Sequence, residues 1–127
     1  MRGKQLSHVR AGNLLADIQG AGSDGNEDIS EILVRPGLKI ERIVSQGHAS
    51  PPGFWYEQVW DEWVIVLSGS AKLRFEDEAE ARLLVAGDYV FIPAQKRHRV
   101  DWTCGTEPTV WLAVHCEGEE LSSSASL

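Results

Sequence analysis

A chain of 127 residues has the length of one domain, and it can bury roughly two thirds of its unfolded surface, enough for one hydrophobic core. Its composition, 43% hydrophobic and 24% charged, is globular and excludes disordered and collagen-like classes. Twelve Lys and Arg against 19 Asp and Glu give a net charge of −7, which argues against a nucleic-acid partner, because phosphate backbones call for a basic face.

Residues 1–28 are mixed and Gly-rich and read as an N-terminal extension. Within them GNLLADI has the length of one helical turn or an edge strand, and GAGSDGNED reads as loop, because Gly, Ser, Asn and Asp interrupt regular structure. From Ile29 the pattern changes. ISEILV stops at Arg-Pro-Gly, and LKIERIVS alternates Leu38, Ile40, Arg42 and Val44 with its other positions. QGHASPPG is a loop. Then follow WYEQVWDEWVIVL, a Ser-Gly-Ser turn, AKLRFE, the acidic stretch Glu76 to Glu80, ARLLV, YVFI, HRVDW and TVWLAVHC. Strand-like runs thus recur roughly every ten residues with no helical period among them, which predicts an all-β sandwich or barrel. The barrel unit is 29–117, and residues 118–127 are a polar, Ser-rich tail expected to fray.

WVIVL, YVFI and VWLAV are apolar at consecutive positions, so both faces of those strands are expected to be covered. A barrel interior covers one face. The N-terminal segment, a second sheet or a second subunit must cover the other, and a homodimer is expected. No run approaches the ~18 apolar residues that span a bilayer, and no leader-like segment stands at the N-terminus, so a cytoplasmic protein without a membrane partner is expected. Cys104 and Cys116 read as reduced thiols rather than a disulfide framework. Together with His115 they lack the spacing of a zinc site.

Two spaced motifs give a more specific reading. Glu62 is followed by six residues and Gly69, in EWVIVLSG; Gly87 is followed by five residues and Pro93, in GDYVFIP, with His98 five positions later. This order resembles the two motifs of the cupin superfamily over about Leu38 to Cys116. The resemblance implies a double-stranded β-helix, a small jelly-roll barrel, with a divalent metal ion inside it. It places Glu62 at the carboxylate ligand and His98 at the second-motif histidine. The H-x-H pair of the first motif falls on Tyr56 and Gln58, or in the other register on Trp55 and Glu57, and none of these is His. Ser50 replaces the first motif's leading glycine, Gln95 replaces the second glycine of motif two, and Trp102 stands where that motif often has Asn.

On a regular strand Tyr56, Gln58, Trp60 and Glu62 share one face. Gln58, Glu62 and His98 are therefore the expected metal donors, an amide oxygen, a carboxylate and an imidazole, with water at open positions and Glu57 or His115 as possible additions. His48 would join only if its loop folds over the mouth. Trp55, Tyr56 and Trp102 are expected to line the substrate entrance. Lys96 and Arg97 would either bring positive charge to that entrance or remain ordinary loop charges. The remaining tryptophans read mainly as core or interface, and Glu62 with His98 could equally form a simple hydrogen-bonded pair. No nucleophile elbow, phosphate-binding Gly loop or dinucleotide fingerprint occurs. Two functions remain open: a metal-dependent enzyme of oxygenase, isomerase or hydrolase type acting on a small molecule, and a non-catalytic small-ligand-binding or regulatory protein without an obligatory metal.

Overall fold

A computed structural model describes residues 8–118. Eight strands follow in order: β1 (Asp28–Arg35), β2 (Leu38–Ser45), β3 (Asp61–Ser68), β4 (Ser70–Phe75), β5 (Arg82–Val85), β6 (Tyr89–Ile92), β7 (His98–Thr103) and β8 (Thr109–Cys116). There is no helix among the described residues, and so none long and apolar enough to cross a membrane. GNLLADI forms turns, closed by a hydrogen bond from the Ala16 amide to the Asn13 carbonyl, rather than a helix or an edge strand. Most of the tail expected to fray, residues 119–127, lies outside the described residues.

The strands build two antiparallel sheets, one ordered β1-β2-β8-β3-β6 and one β5-β4-β7. Folded face to face, they are the double-stranded β-helix. In the larger sheet β3, and β8 from Trp111 to Val114, alternate because one face meets the other sheet. On β3 Glu62, Val64 and Val66 are buried while the residues between them are half-exposed. The core joins Val64, Val66, Ala71, Leu73, Phe75, Leu84, Ile92, Val100, Trp111 and Ala113 from both sheets. Trp111 also needs a partner for its indole N–H, which donates to Ser45 Oγ at 3.2 Å.

Gly69 closes the β3–β4 hairpin with a φ of +86°, and a Cβ there would lie 2.6 Å from Thr109 and the Pro108 carbonyl. Only glycine permits that approach of the turn to β8. Its place in the sequence motif is thus a steric requirement of the fold.

The outer face of the larger sheet is covered in part by the N-terminal segment. Arg42 points outward from β2 and donates to the carbonyls of Leu14 (3.2 Å) and Ala16 (2.7 Å), strapping that segment over Ile40 and Leu112. The alternation of Leu38, Ile40, Arg42 and Val44 therefore marks the outer side of β2, at least at Ile40 and Arg42, and the residues between them, Glu41 and Ile43, face the interior. Over β6, Tyr89 and Phe91 are 66% and 54% exposed, with Trp63 beside Tyr89 at 5.7 Å between rings.

Candidate functional site

At one end the barrel interior is polar. A cavity of about 130 Å³ is lined there by Glu27, Glu41, Glu62, Tyr56, Gln58, His98 and His115 together with the apolar Ile29, Ile43, Val64, Leu73, Ile92, Val100 and Trp111. Each polar group sits where its strand ends. Glu62 is the second residue of β3, opposite His115 near the end of β8, and His98 opens β7. Farther along the same faces the residues turn apolar: Val64 and Val66, Ala113 and Trp111, and Val100.

Tyr56 and Gln58 reach the cavity without belonging to a strand. β3 starts only at Asp61, so the regular strand expected through Tyr56 is absent. Tyr56 instead forms a single bridge to His98, amide to carbonyl in both directions at 2.7 and 3.1 Å, and its ring stacks on the imidazole at 5.5 Å. Arg99 fastens the preceding loop by donating to the carbonyls of Ser50 (2.9 Å) and Pro51 (3.0 Å). The Gln58 carbonyl accepts the amide of Gln95. Gln95 has a φ of +67°, so the left-handed turn of the motif glycine persists although the glycine is gone.

His98 is 5% exposed, and its Nδ1 lies 2.9 Å from the Lys96 carbonyl. A carbonyl only accepts, so Nδ1 carries the proton and Nε2 offers a lone pair. That Nε2 faces Glu62 Oε1 at 3.8 Å, too long for a hydrogen bond. Burial lowers the pKa of His98, opposed by the bond to the Lys96 carbonyl. Glu62 is 8% exposed, and its Oε1 has no hydrogen-bond partner. Burial, and then the nearby charges of Glu41 and Glu27, push its carboxyl up to about 7.

The other two carboxylates have partners. Glu41 accepts from His115 Nε2 at 3.2 Å and lies 3.4 Å from Lys39 Nζ. Glu27 lies 3.7 Å from His48 Nε2, and its carboxyl is raised by burial, with His48 opposing and Glu41 adding. Burial raises Tyr56 as well, helped by Glu27 and Glu62.

Gln58, Glu62, His98 and His115 thus line one cavity with Tyr56. The other candidates lie elsewhere. Glu57 points away, is exposed and pairs with Arg97 at 3.7 Å, because the Tyr56 and Gln58 register is the inward one. Trp102 is 40% exposed and stacks under Lys72 on the outer side of β4 and β7, so it does not line the cavity. Trp55 lies against the Arg99 guanidinium, 5.9 Å from its ring centre, and is also outside it. Lys96 and Arg97 are bound to Asp77 and Glu76 of the acidic stretch, so they bring no unpaired charge to the entrance. His48 backs Glu27 rather than lining the cavity. Both cysteines are free thiols. Sequence reasoning missed Glu27 and Glu41. Glu41 had a detectable signal, a carboxylate two positions before Ile43 on the face of β2 opposite Arg42.

A family model described as the Cupin domain matches residues 42–115, and the chain belongs to that family. A Ralstonia eutropha JMP134 protein provisionally named a mannose-6-phosphate isomerase is 53% identical, with a TM-score of 0.82 over 87% of this chain and 100% of that one. An RmlC-like cupin protein from a Desulfovibrio desulfuricans subspecies is 17% identical, with a TM-score of 0.66 over 85% and 97%. An RmlC-like cupin from Methanocaldococcus jannaschii with a double-stranded β-helix fold is 15% identical, with a TM-score of 0.65 over 88% and 92%. The last two likenesses are of fold alone. No curated protein matches the chain.

Proposed function

We propose that this cupin binds one divalent cation at the polar end of its barrel and takes a small molecule beside it. The observation that carries the reading is Glu62 Oε1, a buried oxygen without a hydrogen-bond partner, facing an imidazole nitrogen whose lone pair the Lys96 carbonyl commits to the cavity. Two acceptors that face one space, with no donor between them, favour a cation. Metal-binding histidines commonly give their other ring N–H to a carbonyl in this way. Among the described residues no three His, Cys, Asp or Glu side chains are grouped as metal ligands. The donor set therefore fits a cation only with the Gln58 amide oxygen as its third member, and such a set suits a weakly held ion with water at the remaining positions.

When bound, the ion would supply a Lewis acid with open positions for a substrate oxygen. The chain's own residues do the rest. Lys96 and Tyr56 fix the ring of His98, the Gln95 amide holds the loop of Gln58, Glu41 and His115 fill one flank, and Leu73 and Trp111 close the floor against water.

Metal analysis and calorimetric titration with Mn²⁺, Ni²⁺ and Zn²⁺ of tag-free protein test the reading. One ion per chain is expected, lost in Glu62→Gln and in His98→Ala and weakened in Gln58→Leu. Binding that all three variants leave unchanged overturns it. A second reading has its own support: a Glu62 carboxyl that titrates near 7 can hold or release a proton at neutral pH. In that reading Glu62 and His98 anchor a ligand, or pass it a proton, without a metal. The isomerase name of the Ralstonia relative is in keeping with a proton-transfer chemistry.

We also propose a homodimer that covers Trp63, Tyr89 and Phe91 on the outer face of β3 and β6. An equilibrium mass of one chain at micromolar concentration would refute it.

A further inference from the structure

A second chamber adjoins the polar cavity. It has a volume of about 300 Å³ and is lined by Val34, Leu38, Val59 and Trp60, with Lys39 at its edge. Gln58 and His115 line both chambers and so stand at the boundary between them. The outer chamber is mainly apolar. Its Val59 is 72% exposed and Val34 is 49% exposed, so both leave aliphatic surface free for a guest to cover. The inner chamber has no Lys or Arg in its lining and holds three carboxylates. The one cation lining either chamber among the described residues is Lys39, and Glu41 already pairs with it.

We infer that the ligand is amphipathic and that its polar head is not an anion. The head, an alcohol or amine that donates hydrogen bonds, enters past Gln58 and His115 to the acceptors Glu62 Oε1 and His98 Nε2. An apolar tail of several carbons stays in the outer chamber against Val59 and Trp60. A phosphorylated sugar fits neither half: its phosphate meets three carboxylates with no unpaired cation, and its hydroxyls meet an apolar wall. This deepens the small-molecule half of the proposed function and rests on its metal-free reading, because a bound cation would occupy the same two acceptors and would attract an anion. It sets the ligand class apart from the one in the name of the Ralstonia relative.

Calorimetric titration of the metal-free full chain with ethyl- and hexylammonium, ethanol and 1-hexanol, hexanoate and mannose 6-phosphate tests it. Each methylene moved from water to an apolar wall favours binding, so the hexyl compounds should bind roughly tenfold or more tighter than the ethyl ones. Hexanoate and mannose 6-phosphate should bind at least about tenfold more weakly than hexylammonium. Trp60→Ala and Val59→Ser lie outside the strands and should erase the chain-length preference while leaving ethylammonium within about twofold. Mannose 6-phosphate binding as tightly as hexylammonium overturns the inference, as does a chain-length preference that survives both variants. A concentration-dependent dimer that binds none of the probes overturns it too, and assigns the outer chamber to a second copy. A separate titration with Mn²⁺ alone distinguishes the two readings: no Mn²⁺ binding, with the alkyl preference intact, refutes the cation and leaves this inference standing.

Discussion

The two ends of the barrel interior are built on the same strands and do opposite things. Toward one end β3 presents Val64 and Val66, β8 presents Ala113 and Trp111, and β7 presents Val100, all in contact in one core. Toward the other, the same faces present Glu62, His115 and His98 around a cavity. Moving four residues along one face of β3 takes the chain from a close-packed apolar site to a carboxyl that burial holds near 7. The apolar end supplies stability. The polar end spends some of it, since a buried carboxyl without a hydrogen bond is unfavourable in either charge state. Such a violation of the packing rules is expected where a site is being kept ready for a guest.

Three substitutions probe that contrast, in falling order of effect. Val66→Asp puts a carboxylate where the residue is 0% exposed and surrounded by apolar side chains. A loss on the order of 5 kcal/mol or more is expected, enough to unfold the protein at neutral pH. A near-native denaturant midpoint would show that the apolar end admits charge as the polar end does, and the contrast would be void.

Glu62→Gln acts in the opposite direction. With a folded value of about 7 against an ordinary value near 4.5, the folded state keeps a proton that the unfolded chain releases. The metal-free protein should therefore lose stability as pH rises from about 4.5 to about 7, with the cost absent below this window and full above it. Glu62→Gln removes that slope and should stabilise the metal-free protein by about 3 kcal/mol at pH 8, read as a rise in the urea midpoint. His98 works the other way, since its lowered value makes stability fall as pH drops below about 6.5. A wild type and a Glu62→Gln variant with parallel stability–pH curves would contradict the strain assigned to the polar end.

Gln95→Gly tests the smallest term. The left-handed backbone at Gln95 is strained for a residue with a Cβ, and relieving it should raise stability by roughly 0.5–1 kcal/mol, less the entropy that glycine adds to the unfolded chain. The cation and ligand affinities should stay within about twofold, because the amide that holds Gln58 is retained. A larger loss of affinity would mean that the Gln95 side chain itself supports the cavity.

Most of the fold was legible because its signals are local. The eight strands fall on the apolar runs between turn residues, and Gly69, Gly87 and Pro93 mark the turns between them. The polar end was harder to read, for two physical reasons. A carboxylate that faces a cavity breaks the rule by which inward faces are found. On β2 the side carrying Ile40 reads as the buried one, whereas Glu41 lines the cavity and the Ile40 side lies under the N-terminal segment. Glu27 is brought in from just before β1 by pairing that links residues far apart in the chain, and a local pattern carries no trace of it. Motif spacing did locate Glu62, His98 and Gln58, because the barrel fixes where strand ends converge. The tryptophans misled for a related reason: Trp55 and Trp102 flank the right positions in sequence, yet the alternation of side chains turns Trp102 to the outer surface.

The strap made by Arg42 has a colloidal consequence. Two carbonyl contacts from one guanidinium hold the turns of residues 13–17 over Ile40 and Leu112. None of those turns lines the Glu62 cavity, so trimming them should leave it as it is while laying a strip of aliphatic surface open beside two paired strands. Whether the barrel stays dispersed or self-associates on storage is thus decided by residues ahead of the first strand, and shortening the chain there should change its shelf life before it changes its ligand.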